Sequence, residues 1–244
     1  MRARRAAVYS GDVKSALSRA CYRLYLPLAV LCAWYLAIRL VQHSAWNKQR
    51  LFHRLVCGNE QQQLEAASAL AQYGAQEQLL AGIKSEAPLV RDLARRALEY
   101  VWFRAAGPTA LHQLEDAFEA AQKENLETAL KLLDEVVEKY PDFAEGWNRR
   151  ASVYWQMGQY EKSAADCQRA IVLNPNHYGA WQGIGVCRLK MGNVAEACRC
   201  LRAALQIIPH DETTRHCLQE CEELLRALPP ARTPGDERSS TLTA

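Results

Sequence analysis

Acidic residues are nearly missing from the first quarter of this 244-residue chain. Residues 1–57 hold ten Lys/Arg and a single acid, Asp12, whereas the rest holds twenty Lys/Arg and 26 acids. The net charge of +3 therefore joins a local balance of +9 to one of −6. A basic segment beside the chain's one strongly apolar run points toward a membrane surface rather than nucleic acid. Catalytic signatures are also missing. There is no Gly-rich phosphate loop, no G-x-S-x-G elbow and no H-E-x-x-H, so no enzyme activity and no cofactor are expected. The nine cysteines are odd in number and have no framework spacing, which excludes a disulfide scaffold and fits free thiols in a reducing compartment. With nine prolines, 8% aromatics and 49% hydrophobic residues, the chain is neither collagen-like nor disordered and can build a packed core.

The N-terminal segment, residues 1–23, carries Arg2, Arg4, Arg5, Lys14, Arg19 and Arg23 with interleaved serines. It suits the flank of a membrane anchor or, alternatively, a cleaved organelle transit peptide. The run Leu24–Ile38 holds fifteen residues without a charge. A bilayer core of roughly 30 Å needs about 20 apolar residues. Cys21–Val41 reaches 21 residues when Arg23 and Arg39 extend to the interfaces. Tyr22, Tyr25, Trp34 and Trp46 suit an aromatic belt, so residues 24–41 are expected to form a single transmembrane helix. Basic residues lie on both sides of it. Their count favours an N-terminus inside, whereas the free cysteines argue for a repeat domain kept reduced.

From residue 59 to 106 the apolar spacing becomes helical. A first helix over EQQQLEAASALAQYG places Leu64, Ala67, Leu70 and Ala71 on one stripe and stops at Gly74. QEQLLAGI forms a second. Pro88 opens a third, with Leu89, Leu93, Ala97 and Val101 along its apolar face. Ala66, Ala69 and Leu70 recur as Ala94, Ala97 and Leu98, and the Val-Arg-Asp-Leu-Ala-x-x-Ala-Leu wording resembles a short HEAT-type repeat. Gly107-Pro108 marks the expected boundary. It is too short to be a free linker, so one continuous superhelix is expected.

Beyond it the chain keeps a 34-residue period. Pro141, Pro175 and Pro209 share it, as do Ala117, Ala151 and Gly185; Val136, Ala170 and Ala204; Trp147 and Trp181; and Gly158 and Gly192. The middle unit reads Trp147, Ala151, Tyr154, Gly158, Tyr160, Ala170, Pro175, and resembles the tetratricopeptide repeat (TPR) family. The resemblance implies an all-α fold, a right-handed helix–turn–helix solenoid or TPR superhelix. It would hold three repeats over 110–209, a capping helix over 211–228 and a disordered tail over 229–244. Repeat one departs from the pattern with Gln113 in the Trp position and Glu124 in the Gly position. The family's concave face, lined by the first helix of each repeat, implies a groove for a partner peptide or helix. Leu114, Glu115 and Phe118 would line it from repeat one, and Asn148, Arg149, Ser152, Trp155 and Gln156 from repeat two. Gln182, Val186, Leu189 and Lys190 would complete it. Trp155 is expected to face outward beside Arg149 as a binding hot spot.

Some TPR proteins grip a chaperone's C-terminal carboxylate with a Lys/Asn/Asn/Lys/Arg set. Here those positions are Leu114, Phe118, Arg149, Gly179 and Gly183, and none matches. Cys198, Cys200, His216, Cys217 and Cys221 form the one metal-like constellation. Cys198 and Cys200 point in different directions along a helix, so no metal is assigned and small buried thiols are the expectation. His177 is expected to stabilise its turn or lie exposed. The chain thus reads as a non-catalytic, membrane-anchored interaction scaffold or assembly factor. The alternatives are a soluble organelle TPR adaptor, or a thiol- or metal-dependent regulator.

Overall fold

The computed structural model describes residues 28–227. The basic segment 1–23, the start of the apolar run and the tail 229–244 lie outside them. Every element described is helical. Two compact units divide between Gln78 and Leu79.

The first unit begins with α1 (Leu28–His43), followed across a 53° bend by α2 (Ala45–Cys57). Ser44 makes the bend. Its hydroxyl donates to the Val41 carbonyl at 2.6 Å and accepts the Asn47 N–H at 3.2 Å, capping α2. The Asn47 side chain is buried there and donates back to the Gln42 carbonyl at 2.8 Å. No single described helix is long and apolar enough to cross a membrane, although α1 and α2 together pass that test as a bent pair. α2 buries Leu51 and Leu55 in packing on α3 (Glu60–Gln72). Asn59 and Gln62 start α3 with reciprocal side-chain to backbone hydrogen bonds. The α3 core stripe is Ala66, Ala67 and Leu70. Leu64, expected on it, is exposed, because the neighbouring alanines take the inward position one turn on.

The second unit starts within α4 (Gln76–Ile83) and continues as α5 (Pro88–Phe103). Pro88 opens α5 as expected, but its inward face is Val90, Ala94, Ala97, Leu98 and Trp102. Leu89 is exposed, and Leu93 and Val101 are half-buried. The face is turned by about one residue because Trp102, the largest apolar side chain of the helix, takes the buried position. The turn at Gly107-Pro108 is no boundary between units: α5 packs on the repeats within the same unit.

Three helix pairs follow: α6 (Pro108–Gln122) with α7 (Leu126–Lys139), α8 (Ala144–Gln156) with α9 (Tyr160–Leu173), and α10 (Tyr178–Lys190) with α11 (Val194–Ile207). α12 (Glu212–Ala227) closes the array on α11. Each pair comes close at a small residue. A Cβ on Gly185 would stand 2.7 Å from the Leu201 side chain of α11, and Ala117 and Ala151 hold the same place in the earlier pairs, fully buried. Val136, Ala170 and Ala204 are buried on the second helices. The indole N–H groups of Trp147 and Trp181 donate to the carbonyls of Pro141 and Pro175, each at 2.9 Å, and so tie each first helix to the turn before it.

Arg150 clips three helices together. Its Nε and Nη2 fork onto Asp166 of α9 at 2.7 and 2.8 Å, and its Nη1 donates to Asp134 of α7 at 2.8 Å. Both Arg150 and Asp166 are largely shielded from water. One period later the same two places hold Ile184 and Cys200, packed in an apolar cluster.

The turn inside each pair needs a left-handed residue. Gly158 and Gly192 supply it with φ 73° and 79°, but in the first pair Glu124 carries φ 61°. A side chain costs about 1–2 kcal/mol there. Glu124→Gly is therefore expected to stabilise the chain by about 1 kcal/mol and raise Tm by about 2–4 °C in thermal melts. Arg150→Ala strands the Asp166 carboxylate and is expected to cost about 3 kcal/mol in denaturant titrations. The double change Arg150→Ile/Asp166→Cys, which copies the next repeat, is expected to recover most of that loss.

Candidate functional site

The first helices α6, α8 and α10 line a continuous groove made of three hollows. The first, about 560 Å³, lies between α5, α6 and α8, with Tyr100, Phe103, Leu111, Glu115, Phe118 and Arg149 on its walls. The second, about 230 Å³, follows the seam of α6 and α8 and shares Phe118 and Arg149 with the first. The third, about 490 Å³, follows the seam of α8 and α10 and shares Ser152 and Gln156 with the second. Asn148, Trp155, Gly183 and Val186 complete it, with Cys167 at its floor. No side chain obstructs that floor, because Gly183 sits where a Cβ would stand 2.6 Å from the Cys167 sulfur.

The structure gathers most of the expected groove residues: Phe118, Asn148, Arg149, Ser152, Trp155, Gln156 and Val186 all line these hollows. Phe118 is 55% exposed and Trp155 41%, each a large apolar group left open to water. Leu114 also lines the first two hollows, from a buried position beside Leu133 and Val136 in the core of the first pair. Three expectations need correction. Gln182 is engaged by the cap, donating to Asp211 at 3.0 Å and to Thr214. Leu189 packs beside Val194 and Leu218 in the cluster around Leu201 and Cys221, drawn there by the apolar face of the capping helix. Lys190 is exposed but lines none of the three hollows.

α5 takes up one side of this groove, which the period could not show. Trp102 stacks on the His177 ring with centroids 4.9 Å apart and also meets Tyr178. The Tyr178 hydroxyl donates to Glu99. The Arg149 guanidinium lies 4.6 Å from the centre of the Phe103 ring. Beneath Trp102 is a buried polar pair. His177 Nε2 and Glu145 Oε2 stand 2.9 Å apart, and both side chains are shut off from water. His177 Nδ1 accepts the Ala180 N–H at 3.2 Å and so caps α10, while Arg149 Nε donates to the other Glu145 oxygen at 2.6 Å. His177 therefore stabilises its turn as expected, but it is not exposed. Burial pushes the Glu145 carboxyl up. The hydrogen bond from His177 and the charge of Arg149 outweigh that, and its pKa ends below the ordinary 4.5.

The five metal-like residues are not brought together. Cys198 and Cys221 face each other between α11 and α12, Cys200 belongs to the apolar cluster on the other side of α11, and His216 is exposed beside Glu220. Among the described residues no group of three or more His, Cys, Asp or Glu could hold a metal ion.

Comparison with known proteins identifies the repeats. Residues 144–177 and 178–211 each match a tetratricopeptide repeat model. The chain is similar to a TPR repeat-containing protein of Rhizobium etli, 31% identical over 124 residues, which is 51% of this chain and 61% of that protein. It is also similar to anaphase-promoting complex subunit 3 of Schizosaccharomyces pombe, 28% identical over 41% of this chain and 16% of that protein. The chain thus spans less than two thirds of the curated relatives it matches first. Among solved structures, the Sgt2 TPR domain from Aspergillus fumigatus aligns with TM-score 0.48 at 21% identity, covering 55% of this chain and 93% of that one. The first TPR of Spaghetti (RPAP3), bound to an HSP90 peptide, aligns with TM-score 0.47 at 20% identity, covering 48% and 93%. The described residues are all-helical, and the pairs α8–α9 and α10–α11 are tetratricopeptide repeats of a helical solenoid.

Because the Glu145 pKa is lowered on folding, its charge adds stability above the ordinary carboxylate range, and that stability is lost as pH falls through the folded value. In melts from pH 7 to 3, Glu145→Gln is expected to lie well below wild type at pH 6–7. The gap should begin to narrow at about pH 4.5 and close only as pH falls through the lower folded value. A gap constant with pH would show that the carboxylate charge is not what stabilises the site.

Proposed function

We propose that this chain is a non-catalytic interaction scaffold, held at a membrane by its N-terminal apolar segment, that takes a partner peptide or helix in its TPR groove. The observation that carries this reading is the groove itself. Two exposed aromatics, Phe118 and Trp155, stand in adjoining hollows of one groove that share Ser152 and Gln156, with Asn148 beside Trp155 in the second of them. Open aromatic side chains flanked by adaptable polar groups are what a short amphipathic segment docks against.

An acidic C-terminal peptide of the kind bound to the first TPR of RPAP3 is not the partner we infer. Of the five places where a carboxylate clamp would sit, only Arg149 carries a cation, and its guanidinium already serves Glu145 and the Phe103 ring. An apolar helix or extended segment suits the groove better. On this reading the HEAT-like helices form an adaptor, residues 24–41 attach the chain to a bilayer as a single pass, and the repeats work in a reducing compartment.

The test uses the full chain in detergent, as wild type and as Phe118→Ser/Trp155→Ala, to capture proteins from its native membranes. The variant leaves Arg149 in place, because removing it would strand Glu145. A discrete protein retained by wild type and reduced at least about tenfold by the variant, with Tm unchanged, is the expected result. Equal retention would place the partner off the groove.

A further inference from the structure

α1 is a helix with no inside. From Leu28 to Val41 its residues are exposed on every side apart from half-buried Ile38, and Leu31, Trp34, Leu36 and Leu40 are each more than half open. A helix that is apolar all round needs an apolar surround rather than one partner face. At its end the chain does not simply break. Ser44 and Asn47 hold the 53° bend through three side-chain hydrogen bonds, so α2 leaves α1 at a set angle.

α2 has two faces. Asn47, Leu51 and Leu55 turn inward, and Trp46, Gln49, Arg50, His53 and Cys57 form an exposed stripe roughly opposite. Arg50 lies 5.6 Å from the Trp46 ring centre, and Arg39 lies 5.7 Å from that of Tyr35 at the end of α1. No acid occurs between Val13 and Asn59. Arg54 finds Glu65 at 3.4 Å, but Arg39, Lys48 and Arg50 have no carboxylate partner among the described residues.

We propose that α2 lies on the membrane surface, where Arg50 and, at the end of α1, Arg39 take up anionic lipid headgroups and Trp46 sits at the level of the interface. This rests on the membrane reading above and adds a lipid class to it. The bend provides the geometry, turning α2 away from the direction of the apolar helix. Charge complementarity selects the lipid. A stretch with cations and no acids is drawn to an acidic leaflet, and indole and guanidinium side chains are suited to the boundary between headgroup and hydrocarbon. A second copy of α1–α2 would bring these cations, which lack carboxylate partners among the described residues, against each other, which disfavours it as the occupant.

The experiment dilutes the full chain from detergent into vesicles of pure phosphatidylcholine, or of phosphatidylcholine with 30% phosphatidylserine, over a lipid series, and measures capture by flotation. Wild type is expected to bind both and to need less of the acidic lipid. Arg39→Gln/Arg50→Gln is expected to raise the acidic lipid needed for half-capture on the order of tenfold, and to leave capture on neutral vesicles and the Tm unchanged. If wild type is captured by both but the variant matches it throughout, the headgroup role is overturned while membrane attachment stands. If the variant loses neutral capture or melts lower, the two cations support the fold and the proposal falls. Wild type captured by neither vesicle, or recovered as a dimer without lipid, would overturn the membrane reading and the proposal with it.

Discussion

A two-helix unit can bury only one of its faces by itself, and the rest of this structure follows from where the other face goes. Each pair closes on a residue without bulk, Ala117, Ala151 or Gly185, so that the next pair can stack within reach of its remaining apolar side chains. The stack then has ends, and an end cannot be left apolar. At one end α12 covers Leu201 and Cys198 with Cys221 while presenting Glu220, Glu223 and Arg226 outward, and Glu222 turns back to accept from Arg202 of α11 at 2.7 Å. α5 does something different. It lies against the starts of α8 and α10 through Trp102, Phe103 and Glu99, and in doing so occupies part of the face that such arrays offer to ligands. The groove that remains has α5 as one wall of its first hollow, through Tyr100 and Phe103.

The polar groups inside the array sit where they join elements of different origin. Arg150 spans α7, α8 and α9, and the Glu145–His177 pair joins α8 to the turn before α10 under the cover of α5. Ile184 and Cys200 show that an apolar contact can fill the Arg150–Asp166 place. The ion pair is therefore not required for burial. Its effect is directional: a forked guanidinium fixes the register of three helices in a way that a methyl contact does not. The groove walls contributed by α8 inherit that register.

The period made the solenoid legible, because a 34-residue recurrence of small, aromatic and proline positions reports the packing of each pair directly. α8 to α11 begin and end close to where that spacing put them. The groove was legible only where a residue's neighbours repeat too: Trp155 and Ser152 are open, but Leu189 and Gln182 are claimed by the cap, which belongs to no repeat. Arg150 and Asp166 carried a readable signal, since both break the apolar pattern of the following unit at matching places. His177 and Trp102 carried none. They lie far apart in sequence and in segments with different periods, so nothing local links them. In α5, spacing alone did not separate the Leu89 face from the Val90 face. The size of Trp102 decided it.

The thiols bear on whether the groove acts by contact or by chemistry. Cys167 lies at the floor of the third hollow, where a reactive cysteine would meet any bound segment. Burial raises its pKa well above the ordinary thiol value, and the nearby Cys187 and Asp166 add to the rise. Burial likewise raises Cys187, Cys200 and Cys217, and pushes Cys221 up to about 11. A thiolate is the nucleophile and the metal ligand, and at neutral pH these positions hold almost none. No basic side chain is placed to lower the Cys167 pKa. Its sulfur instead fills the space that Gly183 leaves, a packing role that matches its neighbours Ala151 and Ile171. The groove therefore presents shape, two open aromatics, the Arg149 guanidinium, the Glu115 carboxylate and a few amide and hydroxyl groups, while the thiol at its floor serves packing.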